Sequence, residues 1–324
     1  MYSGNALENI GWRKTALIFM SIHFLSYSLF FVDNVELLLI VRFIHGIGFG
    51  ASVNAIMTIT SAILPKKRFG EAFGYLMIGT TLSVGIGPYI GGLLFDYNGF
   101  WACFTAASIF SFIALMSIYF LDFSHYDQVN NDNHNSENND GFKKVFEYSA
   151  VPVSLFSAFT SIGYVAILSF YRLYAVEVNL TNYFSWFFLI YSAVLIVSRP
   201  LAGKIQDNYG DRLICSIGII FQSAGLLLIA LSPSAITIII CAISLELGFG
   251  TLNSAGITIV TRNTPENRRS YAVSTFFIFC DATIGFGPAL LGSFVSLTHS
   301  YASIYLIASI ITFLALPICL KSTK

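Results

Sequence analysis

The chain alternates long apolar stretches with short polar junctions, and the apolar stretches run for about 20 residues, the length that crosses a bilayer as a helix. A helix satisfies its backbone hydrogen bonds within one segment, which hydrocarbon surroundings require. The predicted spans are 15–32, 36–64, 72–95, 100–121, 151–171, 183–202, 213–231, 235–260, 271–297 and 301–319. The pattern therefore predicts an all-α polytopic membrane protein with about ten transmembrane helices.

Composition narrows the function classes. Hydrophobic residues make up 56% of the chain and charged residues 10%, whereas soluble domains carry about 25% charged residues. The net charge is zero, so nucleic-acid binding has no support. The sequence has no G-x-x-x-x-G-K-[ST] loop, which excludes nucleotide binding of the Walker type. It also has no metal-ligand spacing and no nucleophile grouping outside the apolar segments, so we expect no metal, no cofactor and no enzymatic activity.

Basic residues occur at every second junction and predict the orientation. They are Arg13, Lys14, Lys66, Lys67, Arg68, Lys143, Lys144, Lys204, Arg212, Arg262, Arg268, Arg269, Lys321 and Lys324. The intervening junctions contain no lysine or arginine. Because short basic loops stay on the cytoplasmic side of a membrane, both termini are predicted to be cytoplasmic.

The chain also repeats itself at an offset of about 200 residues, as internally duplicated transporters do. Gly48-Phe49-Gly50 recurs as Gly248-Phe249-Gly250, and Gly87-Pro88 recurs as Gly287-Pro288. Glycines and prolines recurring in this order indicate two copies of one membrane module. The predicted parts are a first module at 1–122, a polar cytoplasmic linker at 123–148 and a second module at 149–324.

The two copies differ in length at their beginnings. The second copy has two apolar segments, 151–171 and 183–202, ahead of its Gly203 motif, where the first copy has three residues. We therefore expect the ten helices to correspond to a twelve-helix protein that lacks helices 1 and 2.

One loop motif occurs twice between predicted spans, with glycines for tight turns and charged residues for pairing with helix ends. Its positions are Gly4, Glu8, Gly11 and Arg13 in the first copy, and Gly203, Asp207, Gly210 and Arg212 in the second. The motif resembles the signature loop of the major facilitator superfamily (MFS), in which it forms a cytoplasmic gate. That family usually has Asp where this chain has Glu8.

A second motif, Arg42-x-x-x-Gly46-x-Gly48-x-Gly50, resembles the helix 4 motif of the same family, whose arginine is linked to proton transfer. An arginine inside an apolar helix is costly and is expected to face protein or water. The alternative is an arginine that extends toward the membrane surface while the glycines pack against a neighbour. His45 lies one turn further along and could share a polar cavity, although a lone histidine is more often a packed core residue.

A third motif resembles the antiporter motif on helix 5 of drug/proton exporters in this family. Its positions are Gly74, Ser83, Gly87, Pro88, Gly91 and Gly92. Proline removes a helical hydrogen bond, and glycines allow a partner helix to approach closely. Ser83 stands where the family usually has Gly. The alternative is a packing kink without functional consequence.

Two carboxylates lie inside predicted helices of the second module, Glu246 and Asp281. An ionisable residue within a membrane helix indicates a functional site, so both are candidates for proton coupling together with Arg42 and His45. Either carboxylate could instead be neutralised by a buried partner for structural reasons. The candidates for lining a substrate cavity are Ser157, Ser161, Tyr164 and Tyr171, although a row of hydroxyls also serves helix packing.

The resemblance implies a monomeric secondary transporter of the plasma membrane that exchanges a small molecule for protons in the direction of efflux. A drug, a sugar or a metallophore would suit such an exporter. Two alternatives stay open at this point. The chain could be a non-functional or partial piece of such a transporter, or it could be an importer of the same family.

Overall fold

The computed structural model of the chain describes residues 12–28, 34–63, 69–121, 146–231, 233–265 and 268–323, and over these ranges the regular secondary structure is helical. The helices are α1 (Trp12–Ser28), α2 (Val35–Ile63), α3 (Phe69–Phe120), α4 (Val151–Glu177), α5 (Phe184–Tyr209), α6 (Asp211–Leu231), α7 (Ala235–Leu245), α8 (Thr251–Arg262), α9 (Arg269–Thr298) and α10 (Ala302–Ser322). Short 3-10 turns, Tyr148–Ala150 and Thr181–Tyr183, precede α4 and α5. A π turn, Glu246–Gly250, joins α7 to α8.

Eight helical stretches in this described part of the chain are long and apolar enough to span a membrane. The predicted all-α polytopic class is therefore confirmed, whereas the count of ten stays a prediction. Two causes account for the difference. The α1 helix has 17 described residues, and α3 covers two of the predicted spans in one helix.

The α3 helix leaves helical geometry at one place. Asn98 has φ −138° and Gly99 has φ 64° and ψ −153°, so α3 consists of two helical stretches that meet at these residues. Glycine adopts a positive φ without the steric cost that a side chain would add. The sequence predicted a junction between its spans at this point. Pro88, by contrast, lies within an uninterrupted part of α3.

Contacts between Cα atoms divide the chain into two compact units. The first comprises 1–79 and 91–139, and the second comprises 80–90 and 140–324. Part of α3 thus packs with the second unit, which the predicted module boundaries did not anticipate. Most of the predicted linker 123–148 lies outside the described residues.

The second unit is built around α4, which packs against α9 and α10, while α6 packs against α10 and α7. Large aromatic side chains fill its core, and Tyr171, Tyr174, Phe187 and Tyr305 are at most 1% exposed. The Tyr174 hydroxyl donates to the carbonyl of Ile229. Burying these aromatic rings, with a hydrogen bond for the Tyr174 hydroxyl, holds the helices of this unit together.

Glycines set the contact between α6 and the α7–α8 segment. A Cβ added at Gly248 would lie 2.4 Å from Cβ of Gln222, and one added at Gly218 would lie 2.9 Å from Cγ of Leu252. Small residues allow two helix backbones to approach in this way. The π turn therefore packs directly against α6.

An ion pair connects the beginnings of α4 and α9. Arg268 donates to the carboxylate of Glu147, and the backbone N–H of Glu147 donates to Thr275 Oγ1 over 2.8 Å. The Arg268 guanidinium beside Glu147 holds the pKa of that carboxyl below its usual value. The chain thus enters α4 at a point anchored to α9.

Candidate functional site

The second unit contains a fully buried carboxylate. Glu246, the first residue of the π turn, is 0% exposed, and the hydroxyl of Ser198 on α5 donates to its Oε2 atom over 2.7 Å. A π turn inserts one extra residue into a helix and often marks a functional position. Here the turn places a titratable group between α5 and α7–α8.

Gly250 makes room for this carboxylate. A Cβ at Gly250 would lie 2.1 Å from Glu246 Oε1 and 3.3 Å from Leu195 Cδ1. Glu246 and Gly250 are four residues apart, a spacing at which residues share one helix face, and the structure places Gly250 directly beside the Glu246 side chain. Ser254, which is half-buried, donates to the backbone carbonyls of Gly250 and Thr251.

One ring of a stacked aromatic pair lies on the same turn. The rings of Tyr164 on α4 and Phe249 have centroids 4.4 Å apart and planes within 3° of parallel, and Tyr191 lies 6.4 Å from Tyr164. Tyr164 and Phe249 are both half-buried. We call Ser198, Glu246, Gly250, Tyr164 and Phe249 the Glu246 site.

Three other residues predicted to line a cavity lie in the helix packing instead. Ser157 and Ser161 are 2% and 1% exposed, and the Ser161 hydroxyl donates to the backbone carbonyl of Ser157. Tyr171 is 1% exposed and packs on Phe187, with ring centroids 4.6 Å apart. All three side chains are thus enclosed by protein within the second unit, and their role in lining a cavity stays a prediction. Of the four candidates, only Tyr164 belongs to the Glu246 site.

Asp281, the second intramembrane carboxylate, lies in different surroundings. It is exposed on α9, as are Ser274 and Gly285, seven residues before it and four residues after it. Residues at this spacing share one helix face. The structure therefore distinguishes the two carboxylates, with Glu246 enclosed by protein and Asp281 on an open face of its own unit.

In the second loop motif, the two charged motif residues are exposed, and a neighbouring charged residue is buried instead. Asp207 and Arg212 are exposed, and Gly210, at φ 86°, ends α5, while an added Cβ at Gly203 would meet open space. The buried carboxylate is Asp211, which is 3% exposed.

Asp211 has two partners. Gln206 Nε2 donates to its Oδ1 atom over 2.8 Å, and Arg262, the last residue of α8, forms an ion pair with Oδ2. In the sequence, Arg262 indicated only the orientation, and no pattern singled out Gln206 or Asp211. An acidic residue at the beginning of α6 and a basic residue at the end of α8 were signals for such a pair, since both complement helix dipoles. This ion pair ties the loop between α5 and α6 to the end of α8.

We expect Asp211→Asn to lower the free energy of unfolding by about 1–3 kcal/mol, because it leaves the Arg262 guanidinium without its carboxylate. Thermal unfolding of the purified protein in detergent measures this difference. Asp207→Asn in the same loop is the matched control, since Asp207 is exposed, and it should unfold like the unsubstituted chain. Equal losses in both variants would contradict the role given to Asp211.

In the first loop motif, Gly4, Glu8 and Gly11 lie outside the described residues. Arg13 is described, and its Nη2 atom donates to the backbone carbonyl of Tyr119 over 2.8 Å. Its guanidinium also lies 5.7 Å from the Tyr119 ring centroid. A cation at the last turn of α3 stabilises the negative end of that helix dipole.

The helix 4 motif places Arg42 and His45 beside further polar side chains. Arg42 is exposed, and it lies close enough to Tyr27 and His45 for electrostatic interaction. The His45 ring packs against the ring of His23 on α1, with centroids 4.6 Å apart. Sequence reasoning missed His23, because a single histidine in an apolar stretch carries no spacing signal.

Two glycines of the antiporter motif, Gly87 and Gly91, do not make the predicted close helix contact. An added Cβ would meet open space at Gly87 and Gly91, Ser83 is exposed and Pro88 is half-buried. Gly92 is buried, whereas the packing of Gly74 lies outside the described side chains.

The close approach occurs at Gly85 instead. A Cβ there would lie 2.0 Å from Ser192 Oγ and 3.1 Å from the carbonyl oxygen of Phe188. Gly85 is one of the positions that the internal repeat shares with Gly285. Tyr89, one turn further along α3, packs on Trp186 in a T-shaped arrangement at 6.3 Å. This part of α3 therefore lies against α5 of the second unit.

Comparison with known proteins places the sequence among transporters. The family model described as Major Facilitator Superfamily matches residues 1–184 and 153–323. The chain is 30% identical over 267 residues to the uncharacterized MFS-type transporter MJ1560 of Methanocaldococcus jannaschii, which covers 76% of this chain and 64% of that protein. The chain thus spans less than two thirds of the length of this archaeal relative.

Two further relatives have names that describe transport. The multi-drug resistance efflux pump PmrA of Streptococcus pneumoniae is 24% identical over 299 residues, covering 82% of this chain and 69% of the pump. The riboflavin transporter RibZ of Clostridioides difficile is 21% identical over 337 residues, covering 86% of this chain and 74% of RibZ.

A solved structure gives the fold. The crystal structure of a point variant of the E. coli fucose:proton symporter FucP superposes with a TM-score of 0.62 and 12% sequence identity, and the match covers 100% of this chain and 87% of FucP. At this identity the likeness concerns the fold alone.

Proposed function

This chain belongs to the Major Facilitator Superfamily, and we propose that it exports a small molecule in exchange for protons. Its apolar helices and its relatives make it a multi-pass membrane protein. We propose that it is a monomer in the plasma membrane. Both termini are proposed to lie in the cytoplasm, because its lysines and arginines occur at alternate junctions.

The observation that carries this proposal is the burial of Glu246. A carboxylate that is 0% exposed inside a membrane-spanning helix costs free energy when it is ionised, and this cost falls once it has bound a proton. Ser198 donates a hydrogen bond to one oxygen, which supports the ionised form without neutralising it. Glu246 is therefore equipped to change its charge during a transport cycle.

Coupling requires that proton binding and substrate binding influence each other. The stacked rings of Tyr164 and Phe249 are half-buried, and Phe249 lies on the turn that carries Glu246, so a substrate that packs on them would alter the surroundings of the carboxylate. In this proposal substrate binding favours loss of the proton from Glu246, and protonation favours release of the substrate. Asp281, on the open face of α9, is the second candidate for this role, and Arg42 is the candidate relay in the first unit.

The direction of transport is supported by two separate observations. Gly74, Ser83, Gly87-Pro88 and Gly91-Gly92 resemble the motif of drug/proton exporters. The pneumococcal relative is named a multi-drug efflux pump, while the clostridial relative is named for riboflavin. We accordingly propose a hydrophobic organic molecule as substrate, with sugars and metallophores as further classes to be tested.

Everted membrane vesicles containing the chain test this function. An imposed pH gradient, acid inside, should drive accumulation of a fluorescent cationic dye such as ethidium, and addition of dye should dissipate the gradient. Riboflavin is the second compound to be compared. Uptake driven in the opposite direction would indicate an importer, and vesicles that neither accumulate nor exchange any compound would overturn the proposal.

A further inference from the structure

Two histidines meet between α1 and α2 in the first unit. The rings of His23 and His45 have centroids 4.6 Å apart and planes tilted by 32°. Tyr27 meets both in T-shaped arrangements, 5.3 Å from His23 and 4.9 Å from His45, and Phe49 lies 5.6 Å from His23. We call these four residues the imidazole cluster.

Backbone packing at Gly48 sets the separation of the two histidines. A Cβ added at Gly48 would lie 2.7 Å from the backbone nitrogen of His23 and 3.0 Å from its Cα atom. An added Cβ at Gly46 or Gly50, two residues to either side, would meet open space. The contact between α1 and α2 at this point therefore depends on one glycine, which holds His23 against the helix that carries His45.

The imidazole cluster contains a buried ring nitrogen that can bind a proton. His23 is 8% exposed, and its Nδ1 atom has no hydrogen-bond partner among the described residues. A neutral imidazole offers one acceptor nitrogen, and an imidazolium offers two donors. The Nδ1 atom of His23 can thus take up a proton while the neighbouring ring stays neutral.

Charged groups near the cluster affect how many protons its two histidines can bind. Arg42 interacts electrostatically with His45 and Tyr27. The other charged groups on α1, on α2 and on the part of α3 in this unit are Arg13, Lys14, Glu36, Glu71 and Asp96. Lys14 is nine residues from His23 and Glu36 is nine residues from His45, which is about 13 Å along a helix. Phe112 of α3 packs on Phe24 of α1, with ring centroids 5.4 Å apart.

We propose that His23 and His45 together form a binding site for a single proton. One imidazolium is stabilised by its neutral neighbour and by the rings of Tyr27 and Phe49, which attract a cation at these distances. A second imidazolium would be in ring contact with the first and close to Arg42, so the like charges would repel each other. The second proton therefore binds at least about tenfold more weakly than the first, as in other coupled pairs.

The site deepens the proposed function, on which it rests for its role in transport. In an exchanger driven by protons, the imidazole cluster would be a protonatable site of the first unit, and its protonation changes the charge at the Gly48 contact between α1 and α2. The binding of the proton itself is a property of the cluster and can be measured without any transport.

Carbon-13 NMR of the full chain, labelled at the histidine Cε1 atoms and held in lipid nanodiscs, tests the site. The sequence has five histidines, His23, His45, His125, His134 and His299, so the spectrum is simple. Spectra of His23→Gln and His45→Gln assign the pair. As the pH falls from 8, the two signals should move together in two steps. Each signal should complete about half of its full titration shift in the first step and the rest in a second step at least about one pH unit lower. In either single variant, the remaining ring should show its full shift in one step.

The glycines supply matched controls. Gly48→Ala pushes the His23 backbone away from α2, so the two rings should titrate independently, whereas Gly50→Ala should leave the shared two-step titration unchanged. Circular dichroism identifies a variant that fails to fold. If Gly48→Ala does not fold, the spectra of the two Gln variants still show whether the two rings titrate together. Independent, single-step shifts for both rings in the unsubstituted chain, or no shift for either ring above pH 4, would overturn the site. If the shared two-step titration is found but no proton-driven transport occurs, the proposed function fails and the proton site stands.

Discussion

We expect Glu246→Gln to reduce proton-driven transport by about 100-fold or more, because glutamine keeps the shape of the side chain but cannot take up or release a proton. The amide oxygen can still accept from the Ser198 hydroxyl, so the turn beside Gly250 keeps its packing. Exchange of labelled for unlabelled substrate requires no net proton movement and should stay within about threefold of the unsubstituted chain. Both rates are measured in the same vesicles, with and without a pH gradient.

Asp281→Asn in the same vesicles is the decisive comparison. Glu246 is enclosed by protein, whereas Asp281 lies on an open face of α9. If only the Asp281 variant separates exchange from proton-driven transport, the coupling group is Asp281 and the assignment to Glu246 is wrong. If Glu246→Gln abolishes both activities in a folded protein, Glu246 serves structure or substrate binding instead.

The second large effect is expected at Gly85. We expect Gly85→Ala to lower the free energy of unfolding by about 1–3 kcal/mol, since its Cβ would overlap the side chain of Ser192 and press on the Phe188 carbonyl. Gly87→Ala, in the antiporter motif, should be neutral or should raise stability by up to about 1 kcal/mol, because alanine favours helix where space is open. Thermal and denaturant unfolding in detergent measure both.

A compensating substitution makes the Gly85 prediction specific. Ser192→Gly removes the Oγ and Cβ atoms that lie 2.0 and 2.4 Å from the added Cβ, so the double variant should recover most of the lost stability. An additive loss in the double variant would show that Gly85 acts through something other than its contact with α5. Greater loss at Gly87 than at Gly85 would mean that the antiporter motif, rather than its neighbour, sets this packing.

Much of the fold could be predicted from the sequence, because the signals are local. The length and apolarity of the stretches predict helices that cross a bilayer, and the polar junction at 96–99 corresponds to the break in α3 at Asn98 and Gly99. The recurring glycines and the two loop motifs indicated the family that the comparisons support. The intramembrane carboxylates were also visible in the sequence, since charge within an apolar run is costly wherever it occurs.

What the sequence could not decide is where each side chain lies among its neighbours. Sequence spacing treated Glu246 and Asp281 alike, but only one is buried, because burial depends on the packing of α5 and α6 around the π turn. The spacing also could not pair Asp211 with Arg262, or His23 with His45, since these partners come from different helices. By itself the sequence determined the helices, the family and the presence of charge in the membrane. The tertiary structure decided which glycine is crowded, which carboxylate is enclosed and which histidines meet, because contacts between helices depend on how they pack and not on positions along one of them.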